Sequence, residues 1–205
     1  DCDTVVTDGG RILVAAGREI FDISGGAPVS VMAFDDRITA FCTSSGTTAV
    51  GLAGGGIVIV VGAAAPVVIR DVCGAPVKCP TAMMIADGKL VVAEGSATTR
   101  PDEWSRDLLE RNRTGRVFSI DIASGKANLI ASGVAYAIGL ARDRNGGIVV
   151  SQSWLLCLSR VDRRGAGQAV LVGLAGYPSR ISAASDGGYW LAIFGMRTQL
   201  IEFVL

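Results

Sequence analysis

The sequence predicts an all-β fold, a β-propeller. Three observations carry this. A turn phrase recurs along the chain at Asp8, Gly54, Asp87, Asn145 and Asp186. Its steps are 46, 33, 58 and 41 residues, three of them near 40. Each copy is followed by a short apolar run, β-branched in most copies, and helical periodicity is nearly absent. A repeat of about 40 residues made of short strands is the signature of four-stranded blades around an axis.

The blade elements follow in order. A short apolar stretch precedes each turn: TVV, TAVGLA, TAMMIA, AIGLA and RISAA. Asp-Gly and Asn-Gly then supply the positive φ of a tight hairpin. Second strands follow as RILVAA, IVIVV, KLVVAE, IVVSQ and YWLAIF. Third strands are legible as REIFDIS, GRVFSID, CLSRVD and QLIEFVL, and fourth strands as PVSVMAF, ANLIAS and QAVLVG. The 58-residue step contains an insert, TTRPDEWSRDLLERNRTG, from Thr98 to Gly115. Pro101, Asp102 and Glu103 start a helix there, expected near 101–112, with Trp104, Leu108 and Leu109 on one face. Five turn phrases are visible, and the last blade stops after its third strand. Because a propeller is stabilised by ring closure, the expectation is one propeller domain over 1–205, incomplete at its C-terminus.

Composition limits the function. Half of the 205 residues are hydrophobic, enough for a large core. The longest apolar stretch, Ala49 to Ile69, is broken by Gly51, Gly54, Gly55, Gly56, Gly62 and Pro66. No membrane span is therefore expected. Lys plus Arg equals Asp plus Glu at 19 each, so no basic surface favours nucleic acid. There is no histidine, which removes the usual general base and the commonest metal ligand. Five cysteines stand at 2, 42, 73, 79 and 157. Cys73 and Cys79 are spaced for a small local disulfide or for two buried thiols, and not for zinc. The compartment is not specified, with a periplasmic or secreted location slightly favoured.

WSRDLLERNRTGRVFSID, Trp104 to Asp121, resembles the strictosidine synthase-like proteins, where a "DLLE…TGR" stretch leads into a strand. GYPSRISAASDGGYWLA, Gly176 to Ala192, resembles that family's "GYPDNI…DGGFWVA". AYAIGLARDRNGGIVVSQS resembles its "ANGVALS…D…LLVAET". The likeness runs from about Cys79 to Leu200. It implies a six-bladed propeller related to gluconolactonase- and paraoxonase-type lactonases, with about five blades in this chain. In those lactonases an Asn helps to bind a calcium on the axis; the matching position here is Tyr136. The family's "PDNI" is Pro178-Ser179-Arg180-Ile181. Calcium needs six to eight oxygens, so a metal-free axis with no cofactor is expected. The catalytic Glu of true strictosidine synthases lies in the last blade, and no residue here matches it.

Propeller geometry puts strand starts and the ends of the next strands on one face. This gathers Thr81, Tyr136, Ser179, Arg180, Glu94, Ser96, Gln152, Ser153, Trp154, Phe194 and Arg197 around the axis, a mouth suited to a small molecule. Glu94 is the candidate general acid/base; the competing reading is an ion pair with Arg180 or Arg100. Tyr136, Arg180, Ser179, Gln152, Ser96, Trp154 and Arg197 are the candidate substrate-binding residues. Tyr136 either donates a hydrogen bond to a ligand or plugs the channel. Ser96 and Ser153 have no histidine to activate them. Trp154 and Trp190 also suit packing between blades. The helix around Trp104 is either a lid or a surface elaboration, and Asp107, Glu110, Arg111 and Arg113 read as its solvated face. The first functional expectation is an ester or lactone hydrolase acting on a small organic substrate without central calcium. A non-catalytic small-molecule-binding or interaction propeller is the second, and a calcium-dependent lactonase the third.

Overall fold

The computed structural model describes residues 2–162 and 165–199. Strands dominate, and they form consecutive antiparallel sheets. The first comprises β1 (Cys2–Asp8), β2 (Arg11–Ala16), β3 (Glu19–Asp22) and β4 (Val29–Ala33). The second comprises β5 (Ile38–Ser44), β6 (Thr47–Leu52), β7 (Ile57–Val61) and β8 (Val67–Ile69). A small hairpin, β9 (Asp71–Val72) and β10 (Ala75–Pro76), leads to the third sheet. That sheet holds β11 (Pro80–Ala86), β12 (Lys89–Glu94), β13 (Gly115–Asp121) and β14 (Ala127–Val134). The fourth holds β15 (Ala137–Arg142), β16 (Ile148–Gln152), β17 (Cys157–Asp162) and β18 (Gly165–Leu171), and a fifth holds β19 (Gly176–Ala183) and β20 (Tyr189–Met196). Each sheet keeps the strand order of the sequence, and the first strands lie side by side around an axis. The molecule is a β-propeller with five blades among the described residues. The QLIEFVL strand expected over 199–205 falls almost wholly outside them.

The second blade corrects the repeat. Gly54 to Gly56 join β6 to β7; the hairpin equivalent to the others is Ser45-Gly46, between β5 and β6. TAVGLA is therefore a second strand and IVIVV a third. Replacing Gly54 by Ser45 changes the first two steps from 46 and 33 residues to 37 and 42, which evens the period. Ser45 and Gly46 both have positive φ, at 51° and 77°, as a two-residue hairpin turn requires. Serine is an uncommon occupant of that conformation, so this turn lacked the usual Asp-Gly or Asn-Gly signal.

The core lies between blades, with one apolar layer at each interface of consecutive sheets. Alternation along a strand explains this. On β12, Leu90 and Val92 face the second blade with Ile57 and Ile59, while Val91 and Ala93 face the fourth with Leu140 and Val150. Both faces are covered, so the strand reads as a nearly continuous apolar run. Hydroxyls tie consecutive blades together across these seams. Thr39 donates to the Pro80 carbonyl at 2.6 Å, Thr81 to that of Ala137 at 2.5 Å, and Ser151 to that of Ser179 at 2.7 Å. Each bond joins a blade to its successor near the axis.

The insert adopts a 3-10 turn at Pro101–Glu103 and then α1 (Trp104–Leu109). A Glu103 carboxylate oxygen accepts the Arg100 backbone N–H at 3.1 Å, closing the start of the turn. The face of α1 differs from expectation. Leu108 is buried, but Leu109 is 57% exposed. Asp107, expected in solvent, is only 1% exposed. Trp190, expected between blades, is 73% exposed on β20. Among the described residues no helix is long and apolar enough to cross a membrane.

Candidate functional site

The axis is closed by a side chain. From β19, Arg180 reaches across the inner strands and donates to the carbonyls of Thr39 (2.8 Å), Thr81 and Ile138 (3.5 Å). These carbonyls belong to β5, β11 and β15. Inner-strand edges leave such groups without a ladder partner, and a buried carbonyl without a donor is costly. A planar guanidinium with five N–H groups can serve several strands at once.

Above Arg180 opens a cavity of about 230 Å³. Arg37, Thr39, Thr81, Ile138, Ser153 and Arg180 form its polar and aliphatic wall, and Pro101, Trp104, Tyr136, Trp154 and Phe194 its rings. Tyr136 sits at the β14–β15 junction with φ +54°, a left-handed conformation that costs a non-glycine residue about 1–2 kcal/mol. This backbone turn aims the phenol inward. Its ring stacks on Trp154, with centroids 4.3 Å apart and planes at 25°. Gly95 lies beneath, where a Cβ would stand 3.2 Å from the Tyr136 ring. Burial, with help from neighbouring Cys79, holds the Tyr136 hydroxyl well above the usual phenol range, so it stays protonated. Its hydroxyl and the Cys79 thiol are 3.9 Å apart.

The insert roofs the cavity. Trp104 meets Phe194 edge-on at 5.4 Å and Trp154 at 6.5 Å. Asp107 secures this arrangement by accepting the Trp154 indole N–H at 2.7 Å and the Thr99 hydroxyl at 2.9 Å. The lid reading of the helix therefore matches the geometry. Asp107 was hidden in sequence because a charged residue next to Arg106 and Glu110 reads as solvent-facing. Only the fold brings Trp154 to it, 47 positions away.

Of the expected binding residues, Tyr136, Arg180 and Trp154 line this cavity. Ser179 contributes a carbonyl to the blade seam instead. Gln152 is buried and committed, accepting the Ala135 N–H at 3.0 Å and donating to Ser159 at 2.9 Å. Ser96 organises the base of the insert, within 3.0 Å of the Thr114 hydroxyl and accepting the Thr98 and Thr99 N–H groups. Arg197 is exposed beyond β20 and is not among the lining residues. Arg37, Thr39, Pro101, Trp104 and Ile138 line the cavity without having been singled out as binding residues. Of these Pro101 and Trp104 carried a sequence signal, their place in the insert.

Glu94 does not reach the cavity. It is fully buried, and one carboxylate oxygen lies 2.6 Å from the Arg116 guanidinium. The other accepts the Lys78 N–H at 2.7 Å. Arg116 is its direct cross-strand partner in the β12–β13 pair. The ion-pair reading thus finds its partner in Arg116, and in neither Arg180 nor Arg100. Cys73 is exposed and Cys79 buried, and both are free thiols.

The axis carries a positive side chain of the protein's own. Three carbonyls converge on it, as a metal would need, but a guanidinium already occupies their lone pairs and carries a like charge. Tyr136 adds a protonated phenol, a poor substitute for an amide carbonyl. Among the described residues no group of three or more Cys, Asp or Glu is placed to hold a metal.

No family model matches the chain. Strictosidine synthase-like 6 of Arabidopsis thaliana is 28% identical over 123 residues, which is 58% of this chain and 33% of that protein. This chain therefore spans about a third of that relative. A putative gluconolactonase superposes with a TM-score of 0.68 at 14% identity, over 90% of this chain and 68% of that one. An inactive virginiamycin B lyase from Staphylococcus aureus gives 0.69 at 13%, over 94% and 63%. Regucalcin, a calcium-binding protein from Agrobacterium tumefaciens, gives 0.62 at 14%, over 94% and 67%. The structural likenesses establish the fold. The chain is a β-propeller similar to the strictosidine synthase-like proteins and to gluconolactonase- and regucalcin-type propellers.

Proposed function

We propose that the axial mouth binds a small organic molecule, in a propeller whose centre is held by Arg180 instead of calcium. The observation that carries this is the ring-lined cavity of about 230 Å³ under α1. Concave sites with apolar walls and a few convergent polar groups are where propellers and other folds take small ligands. Ester or lactone hydrolysis is the second reading. It is favoured by the guanidinium groups of Arg37 and Arg180 on the cavity wall, which suit a developing oxyanion. Its weakness is the base: no carboxylate lines the cavity among the described residues. The binding reading needs none and stands first.

The test is a panel of aryl esters and lactones, assayed for turnover and for binding by tryptophan fluorescence. Saturable binding without turnover supports the first reading. Turnover that Arg37→Gln abolishes supports the second. Absence of both across the panel removes the mouth as a ligand site. Added calcium is expected to leave the melting temperature unchanged, and a saturable rise would overturn the metal-free axis.

A further inference from the structure

We infer that the ligand of the axial mouth is a planar, aromatic anion, of the aryl carboxylate class, with Arg37 as its charge partner. This rests on the ligand-binding reading above and adds the chemical class. Three features converge. The first is charge. Arg37 and Arg180 both line the cavity, and no Asp or Glu among the described residues does. The second is how the nearby acids are disposed. Asp107 faces away behind Trp154 and is filled by the indole and Thr99 donors. Asp36 accepts its neighbour's backbone N–H and that of Gly54, and it lines a different groove. Glu94 is sealed against Arg116. Arg37 is an exposed residue, and among the described residues its side chain forms no ion pair.

The third feature is shape. Trp104, Trp154 and Phe194 present partly exposed ring surface to the cavity, and Trp154 already stacks on Tyr136. A flat ring entering beside Trp104 and Trp154 adds to a cluster of rings already in contact. Stacked and edge-on ring pairs gain beyond the area they bury. The cavity is smaller than the usual drug-sized pocket of about 300–1,000 Å³, which favours one ring over several. A carboxylate on such a ring would meet Arg37 in a forked, charge-assisted contact that a neutral or cationic group cannot make.

Benzoate, benzamide and benzamidine test this, being nearly isosteric and carrying charges of −1, 0 and +1. Binding is followed by tryptophan fluorescence and by ligand-observed NMR on the intact protein. Benzoate is expected to bind roughly tenfold to a hundredfold more tightly than benzamide, the range for a charged hydrogen-bonded contact. That preference should disappear in Arg37→Gln and persist in part in Arg37→Lys. Arg37 is at the surface, so both variants should fold, and their melting curves check this. Equal binding of all three would overturn the anion inference while leaving the mouth a ligand site. Preference for benzamidine, or a benzoate preference unchanged in Arg37→Gln, would also overturn it. If none binds, the inference fails, and the ester and lactone panel decides separately whether the mouth binds anything.

Discussion

Glu94→Gln removes the charge from the Arg116 pair while keeping the size of the side chain. The structure fixes what this should cost. Glu94 is fully buried and the Arg116 side chain is 11% exposed, so water screens the pair weakly. Breaking a buried pair by neutralising one member costs about 3–5 kcal/mol, because the other charge is left uncompensated. Glutamine can still accept the Lys78 N–H, which places the loss near the lower end, about 3 kcal/mol. Roughly 2–4 °C per kcal/mol for a chain of this size gives a fall in Tm of about 6–12 °C. Arg116→Met should cost a similar amount and also strand the Pro76 carbonyl, which Arg116 now serves at 2.9 Å. The double variant should be less destabilised than the sum of the singles, with a coupling of about 2 kcal/mol in a denaturant-unfolding cycle. A Glu94→Gln protein of unchanged stability that had lost a measurable hydrolytic activity would refute this reasoning. It would return Glu94 to the chemistry.

Further outcomes follow from the same contacts. Asp107→Ala unlatches α1 from Trp154 and leaves the buried Thr99 hydroxyl and the half-buried Trp154 indole unpaired, so trypsin should cut at Arg106, Arg111 or Arg113 faster than in the parent, read by mass spectrometry. Gly139→Ala should cost about 1–3 kcal/mol in urea unfolding, because the new Cβ would meet the Ser179 carbonyl and the Ile181 N–H, backbone atoms that cannot yield cheaply. Iodoacetamide at pH 8 should label exposed Cys73 and spare Cys42 and Cys79 in the folded protein. Burial pushes the latter two thiols up to about 12, so they remain protonated and unreactive until the pH approaches that value or the protein unfolds. Labelling of Cys79 as fast as Cys73 would contradict the packing around it.

The fold was legible because blades repeat. Alternation along strands covered on both faces, and glycine at hairpin turns, are local rules that show in any single copy. The insert was legible for the opposite reason: Pro101, Asp102 and Glu103 break the β pattern and mark a helix start. Where local chemistry is atypical, the turn carries no local signal. Ser45 adopts a turn conformation usually taken by Asn, Asp or Gly, and so the second blade was phased one hairpin late.

The site divided along the same line. Sequence position alone put Tyr136, Arg180 and Trp154 at one end of the axis, because strand starts and ends are set by the blade repeat. It could not say where side chains turn once there. Glu94 and Gln152 stand at equivalent strand ends, yet Glu94 folds back onto its cross-strand neighbour Arg116 and Gln152 onto Ala135 and Ser159. Asp107 looks solvated in sequence and is a buried latch, because its partner Trp154 arrives from the next blade. Arg180 spans strands whose residues lie up to 141 positions away. Period and turn chemistry are properties of neighbours in the chain and can be read there. The pairing of a buried charge is set by whichever donor the packed strands bring near, and that is decided only in three dimensions.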